Sequence, residues 1–116
     1  MANTPDYRKV VDRLRRYRDD RDWGQFHTPK DLAIAISTEA GELLEHFLWR
    51  DATATDSHLD KARQDVLDEI ADVAIYLVYL CDALDTDLLD VIEHKLDLNL
   101  TRHPMESTRG RSRSRG

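Results

Sequence analysis

Cysteine is nearly absent from this chain: Cys81 stands alone among 116 residues, so no disulfide forms within the chain and no cysteine-ligated metal site can be built. Long apolar runs are missing too. The longest, Val73 to Cys81, is too short to cross a bilayer as a helix, which takes about 20 residues. No segment of useful length alternates apolar and polar residues, so strands are not expected. No apolar leader is expected, because Met1-Ala-Asn-Thr-Pro-Asp runs straight into a polar helix. Basic charge is in deficit: the net charge is −6, although Arg109, Arg111, Arg113 and Arg115 crowd the last residues and leave the rest more acidic still. An acidic body argues against a nucleic-acid-binding surface. These absences leave a soluble, cytoplasmic chain of one modest domain, with no membrane and no nucleic acid among its partners.

Proline is scarce, and each of the three punctuates a helix. Thr4-Pro5 is a cap followed by Pro at the first helical position, opening a helix that the pattern carries to about Asp22. Its apolar face is Tyr7, Val10, Val11, Leu14 and Tyr17. Trp23 to Thr28 reads as a loop, and Thr28-Pro29 repeats the start signal for a second helix ending near Trp49. Asp51 to Asp56 is a polar connection, followed by a third helix from about Ser57 to Leu84. Asp85-Thr86-Asp87 caps a fourth, which must stop before Pro104 because proline disfavours helix at the residue ahead of it. The expected architecture is therefore all-α, a four-helix bundle over residues 1–104. Residues 105–116 form an Arg/Ser-rich tail with almost no apolar content, expected to be disordered.

Against that background, two acidic pairs share one spacing: Glu39-x-x-Glu42 and Glu69-x-x-Asp72. Three residues apart on a helix means one face. At about 100° per residue, Glu39 falls within the stripe of Leu32, Ile36, Leu43 and Phe47. Glu69 lies beside Val66, Val73, Leu77 and Leu80. In a chain that is 34 % charged, any one such pair is the ordinary pattern of a solvated helix. Two pairs that both abut apolar stripes, on helices placed to be antiparallel neighbours, favour a metal site. Converging carboxylates repel one another and need a multivalent cation to stay ionised. Oxygen ligands without cysteine or a partner histidine select Mg²⁺, with Mn²⁺ as the substitute.

Three further features carry information. Val73 to Cys81 is apolar on every side, and a helix of that kind must be buried all round. Three short helices can hardly surround it, so a second subunit is expected to cover the remainder. On the fourth helix, Lys95 and Asn99 share the face of Leu88, Val91, Ile92 and Leu96. A lysine on a core-facing stripe needs an anion, either Glu39 or Glu69 or a substrate phosphate. Trp23 and Trp49 stand at helix ends. They either cap the core or clamp a planar base, with Phe26 and His27 closing the pocket.

Together these phrases resemble the MazG-like all-α nucleoside triphosphate pyrophosphohydrolases, most closely the short members of the dCTP-pyrophosphatase type. The resemblance runs over about residues 5–104. It rests on Arg21-Asp-Trp-Gly-Gln-Phe-His-Thr-Pro, on Glu39-Ala-Gly-Glu-Leu-Leu-Glu-His-Phe-Leu-Trp, on Glu69-x-x-Asp72 and on Lys95-x-x-x-Asn99-x-x-x-x-Pro104. Thr38 stands where many relatives carry a further Glu. The resemblance implies that Glu39, Glu42, Glu69 and Asp72 are the metal ligands and the catalytic residues. It also implies that Trp23, Trp49 and Tyr76 line the base and sugar pocket, that Lys95 and Asn99 contact the nucleotide, and that the chain forms a homodimer or homotetramer. The implied reaction is Mg²⁺-dependent hydrolysis between the α- and β-phosphates of a nucleoside triphosphate, dCTP or a modified dCTP by first choice, to monophosphate and pyrophosphate. A second departure bears on the base: cytosine-selective members carry a His where this chain has Leu14. Two other carboxylate architectures are excluded. A ferritin-like di-iron bundle needs Glu-x-x-His, and no His here follows a Glu by three residues. The Gly-anchored, Glu-rich box of Nudix hydrolases is absent. The non-enzymatic alternative is an acidic helical interaction module.

Overall fold

The computed structural model describes residues 4–110. Helix α1, Tyr7–Asp20, opens two residues later than Thr4-Pro5 suggests, because Asp6 is the stronger cap. Its Oδ1 accepts from the backbone amides of Arg8 and Lys9 at 2.9 and 3.4 Å. Asp22, with φ of 54°, turns the chain out of the helix into a 3₁₀ turn, Trp23–Phe26. Helix α2, Pro29–Glu45, starts as the sequence indicates, with Thr28 Oγ1 accepting from Asp31 N at 3.1 Å. It ends four residues before Trp49. Arg50 reaches back and donates Nη1 to the carbonyls of Glu45 and His46 at 3.2 and 2.7 Å, satisfying carbonyls that the helix end leaves open. Trp49 then sits in the left-handed region, φ 63°.

Helix α3, Ala52–Ala83, begins five residues before Ser57. Asp51 caps it, its Oδ1 accepting from Ala54 N at 2.8 Å, so most of the expected connection is itself helical. A kink at Ala62 (φ −115°, ψ 17°) separates this added piece from the long segment that follows.

Within the first compact unit, which ends at Asp85, α2 and α3 run antiparallel. His46 Nδ1 meets His58 Nε2 at 2.8 Å at one end of the pair, and Glu39 meets Glu69 and Asp72 at its middle. α1 lies against the C-terminal half of α3. Asp82 accepts from Arg15 Nη2 at 2.8 Å and Arg18 Nη1 at 3.0 Å, and Tyr79 OH donates to the Leu14 carbonyl at 2.8 Å. The buried core is small: Val11, Leu32, Val66, Val78, Tyr79 and Cys81. Ile34 and Leu44 on α2, Leu48 in the turn after it, and Leu67 and Ile70 on α3 stay exposed.

The second unit, from Thr86 onward, holds α4, Leu88–Arg102, with Asp87 Oδ1 accepting from Leu89 N at 2.9 Å. Val91, Ile92, Lys95 and Leu96 are all exposed. The stripe expected to face a core does not do so in this chain, so burial does not force an anion onto Lys95. Helix α5, Met105–Thr108, occupies one turn of what the sequence suggests is an unstructured tail. Pro104 starts it, and the hydroxyls of Ser107 and Thr108 return to the Pro104 carbonyl at 3.0 and 2.9 Å, so local bonds suffice without apolar packing. Residues 111–116 of the expected tail lie outside the described residues. No strand occurs among the described residues, and none of their helices is long and apolar enough to cross a membrane.

Candidate active site

The antiparallel crossing of α2 and α3 brings together carboxylates that stand 30 or more residues apart in the chain. Glu39, Glu69 and Asp72 each offer one oxygen, and the three oxygens lie within 4.8 Å of one another. All three side chains are half-buried. Glu42 stands one turn beyond Glu39, exposed, on the rim of this trio. The Glu39 carboxyl is pushed up to about 7, first by the Glu69 carboxyl at hydrogen-bonding range, then by burial, Glu42 and Asp72. The Oε2 atoms of Glu39 and Glu69 are buried without a hydrogen-bond partner. Clustered, partly desolvated carboxylate oxygens with open lone pairs are the donor set that a hard divalent cation satisfies. The residues fit Mg²⁺ or Mn²⁺.

Asp72 has a second neighbourhood. It lines a cavity of about 380 Å³ whose other walls are Leu14, Tyr17, Trp23, His27, Ile75, Tyr76 and Tyr79. Tyr17 and Trp23 meet edge to face, centroids 5.4 Å apart. His27 packs on Tyr79 at 4.7 Å. Burial first, and then the Arg18 guanidinium, hold the His27 imidazole below its ordinary value, which keeps it neutral near pH 7. Its Nδ1 is buried without a partner. The cavity is a mostly aromatic slot with a carboxylate at one edge, shaped to stack a planar group.

Of the residues singled out from sequence, Glu39, Glu69 and Asp72 converge, with Glu42 beside them, and Trp23, His27 and Tyr76 share the cavity. Trp49 does not line it. It is 98 % exposed, among Glu45, Leu48 and Arg50, because α2 ends early and the left-handed turn swings it outward. Lys95 and Asn99 stand on α4 in the second unit, Lys95 exposed and Asn99 half-buried with its Oδ1 unpartnered. Tyr17, Ile75 and Tyr79 escaped the sequence reading. A signal was there: Asp72, Tyr76 and Tyr79 are at i, i+4 and i+7, one helix face.

Fold and site together define an all-helical protein with a carboxylate cluster beside an aromatic slot. A model of the MazG-like family matches residues 34–116. The chain is 39 % identical over 93 residues to dCTP pyrophosphatase 1 of Mus musculus, covering 78 % of this chain and 55 % of that protein. It is 36 % identical over 96 residues to the Homo sapiens protein of the same name, covering 81 % and 56 %. It thus spans about half the length of the curated relatives it matches. The crystal structure of a pyrophosphatase from Archaeoglobus fulgidus DSM 4304 superposes with a TM-score of 0.78 at 37 % identity, over 90 % of this chain and 98 % of that one. The chain belongs to the MazG-like family.

Proposed function

We propose that this chain hydrolyses a nucleoside triphosphate between its α- and β-phosphates, releasing the monophosphate and pyrophosphate, with Mg²⁺ as cofactor. The observation that carries the reading is Asp72, which belongs at once to the carboxylate trio and to the aromatic cavity. A base stacked in the slot sets its phosphates toward the carboxylates. The names of the relatives, dCTP pyrophosphatase and pyrophosphatase, support the same reaction.

Glu39, Glu69 and Asp72, with Glu42 on the rim, are the residues that would hold the metal. Bound there, Mg²⁺ supplies charge compensation for the phosphate oxygens and a more acidic water. Trp23, Tyr76 and Tyr17 stack and enclose the base, which orients the triphosphate. Neutral His27 offers the slot a polar edge without a charge. Lys95 and Asn99 are assigned to the nucleotide on the family resemblance alone. Trp49 points away from its own chain's cavity, so we assign it to the substrate bound by a second copy in a homodimer or homotetramer.

dCTP or a modified dCTP is the first choice of substrate. Leu14 favours a second reading, the same reaction on other deoxynucleotides. An aliphatic wall cannot strongly reject a base through its polar edge, whereas a hydrogen-bonding group can. The test is a panel of canonical and 5-substituted dNTPs with Mg²⁺, with products separated chromatographically. Monophosphate and pyrophosphate are expected, and Asp72→Asn should nearly abolish their formation. Diphosphate and orthophosphate as products, or no hydrolysis of any nucleotide with Mg²⁺ or Mn²⁺, would refute the assignment.

A further inference from the structure

One wall of the cavity rests on a contact outside it. The guanidinium of Arg21 lies over the Tyr17 ring, Cζ 3.7 Å from the centroid, and 5.7 Å from the centroid of Trp23. Tyr17 and Trp23 meet edge to face at 5.4 Å, so the three groups form a closed triangle. Arg21 is held in that pose by its own backbone neighbourhood, with Nη1 donating to the Tyr17 carbonyl at 3.0 Å. The chain between the two aromatics is equally constrained. Asp22 is left-handed, and Gln25 Nε2 donates to both its carbonyl and its carboxylate at 3.0 Å. Without such support the shelf would be loose, since Tyr17 and Trp23 are 48 % and 42 % exposed.

We propose that Arg21 is a positioning residue for substrate, holding Tyr17 and Trp23 as a rigid shelf against which the base stacks; this rests on the nucleotide reading above. Arg21 is not among the cavity-lining residues, so it acts through the two rings and not by touching the substrate. An arginine suits the task because a planar guanidinium stacks on a ring while still donating in its own plane, which a lysine ammonium cannot do. The contact is exposed, so its loss should be felt in the placement of the shelf and hardly in the stability of the fold.

Three measurements on the full chain test this. Arg21→Ala should raise KM for the best dNTP roughly two- to five-fold, the range an exposed cation–π contact supports. It should leave kcat unchanged and shift the melting temperature by no more than about 6 °C. Arg21→Lys should recover only part of the loss. In a Trp49→Phe background Trp23 is the sole tryptophan, and Arg21→Ala should lower its fluorescence anisotropy in the nucleotide-free protein. That last readout needs no turnover, so it decides the shelf even where the functional reading fails. An unchanged KM in an active enzyme, or unchanged anisotropy, would overturn the proposal. So would a fall in melting temperature that Arg21→Lys fully restores together with KM, since that is the mark of a structural role.

Discussion

Glu39 concentrates the chemistry of the site in one side chain. Its carboxyl, ordinarily at 4.5, is raised to about 7 by Glu69, burial, Glu42 and Asp72. Between those two values the folded chain holds a proton that the unfolded chain releases. Stability from this group is therefore complete below about 4.5 and is lost as pH rises through about 7. In the presence of chelator, raising the pH from 5 to 8 should lower the melting temperature of the wild type. Glu39→Gln, which keeps the shape and has no proton to lose, should lack this increment. The two proteins should coincide near pH 5 and separate toward pH 8, with the variant the more stable, and parallel profiles would show that the trio does not strain the metal-free fold. On the proposed metal-ligand role, turnover of Glu39→Gln should be nearly abolished at every pH. The approach of the carboxylates was legible in the sequence, since periodicity puts Glu39 within one apolar stripe and Glu69 beside another, with Asp72 three residues on. The proton on Glu39 was not, because it depends on the distance at which two helices cross.

At the scale of elements, α1 is tied to α3 by polar contacts as well as by the buried core, and Asp82 is the centre of the polar ones. Burial pushes its carboxyl upward, but the hydrogen bonds and charges of Arg15 and Arg18 outweigh that and hold it below the ordinary 3.8. The contribution is present above that value and lost as pH falls through the depressed one. Asp82→Asn removes the negative charge and one of the two oxygens that Arg15 and Arg18 use, and should cost about 1–3 kcal/mol, read by denaturant unfolding. It should also raise KM, because α1 carries Leu14, Tyr17 and the approach to Trp23. Loss of stability with an unchanged KM would mean that α1 keeps its place without this tie. The helix order and the start of α2 followed from cap residues and prolines. The end of α2 did not, since it depends on Arg50 folding back onto carbonyls, a contact no periodicity records. Trp49 was misplaced for that reason. A tryptophan at φ 63° is strained, a conformation that costs an L-residue about 1–2 kcal/mol and glycine almost nothing. Trp49→Gly should therefore match or exceed the wild type in melting temperature. If stacking on a neighbouring subunit's substrate is its role, KM should rise by roughly one to two orders of magnitude. An unchanged KM would remove Trp49 from the binding assignment.

Among the described residues, more large apolar side chains are exposed than buried. Ile34 and Leu44 on α2, Leu48 in the turn just after it, and Leu67 and Ile70 on α3 are 39–54 % exposed, on or beside the two helices that carry the carboxylates. Fully covering a side chain of this size is worth about 1.5–3 kcal/mol, and scattered single residues would call for no explanation. Here they recur on two adjacent helices, and we propose that a partner covers them. A second copy of the same chain is the economical occupant, since it would cover the face and bring Trp49 toward a neighbouring cavity. The apolar run Val73 to Cys81 suggested this from sequence for a different reason, that too few helices surround it. In the fold much of that run is at least half-buried against α1 and α2, and the uncovered surface lies elsewhere on α2 and α3. Sedimentation at micromolar concentration should give a dimer or tetramer. Leu44→Asp, which puts a charge on the face without touching the carboxylates or the cavity, should shift the distribution toward smaller species. Its KM for nucleotide should rise with dissociation, while the intrinsic aromatic slot of each chain stays formed. A wild-type chain that sediments as a stable, folded monomer at that concentration would refute the assembly, and with it the reason for Trp49 to be exposed.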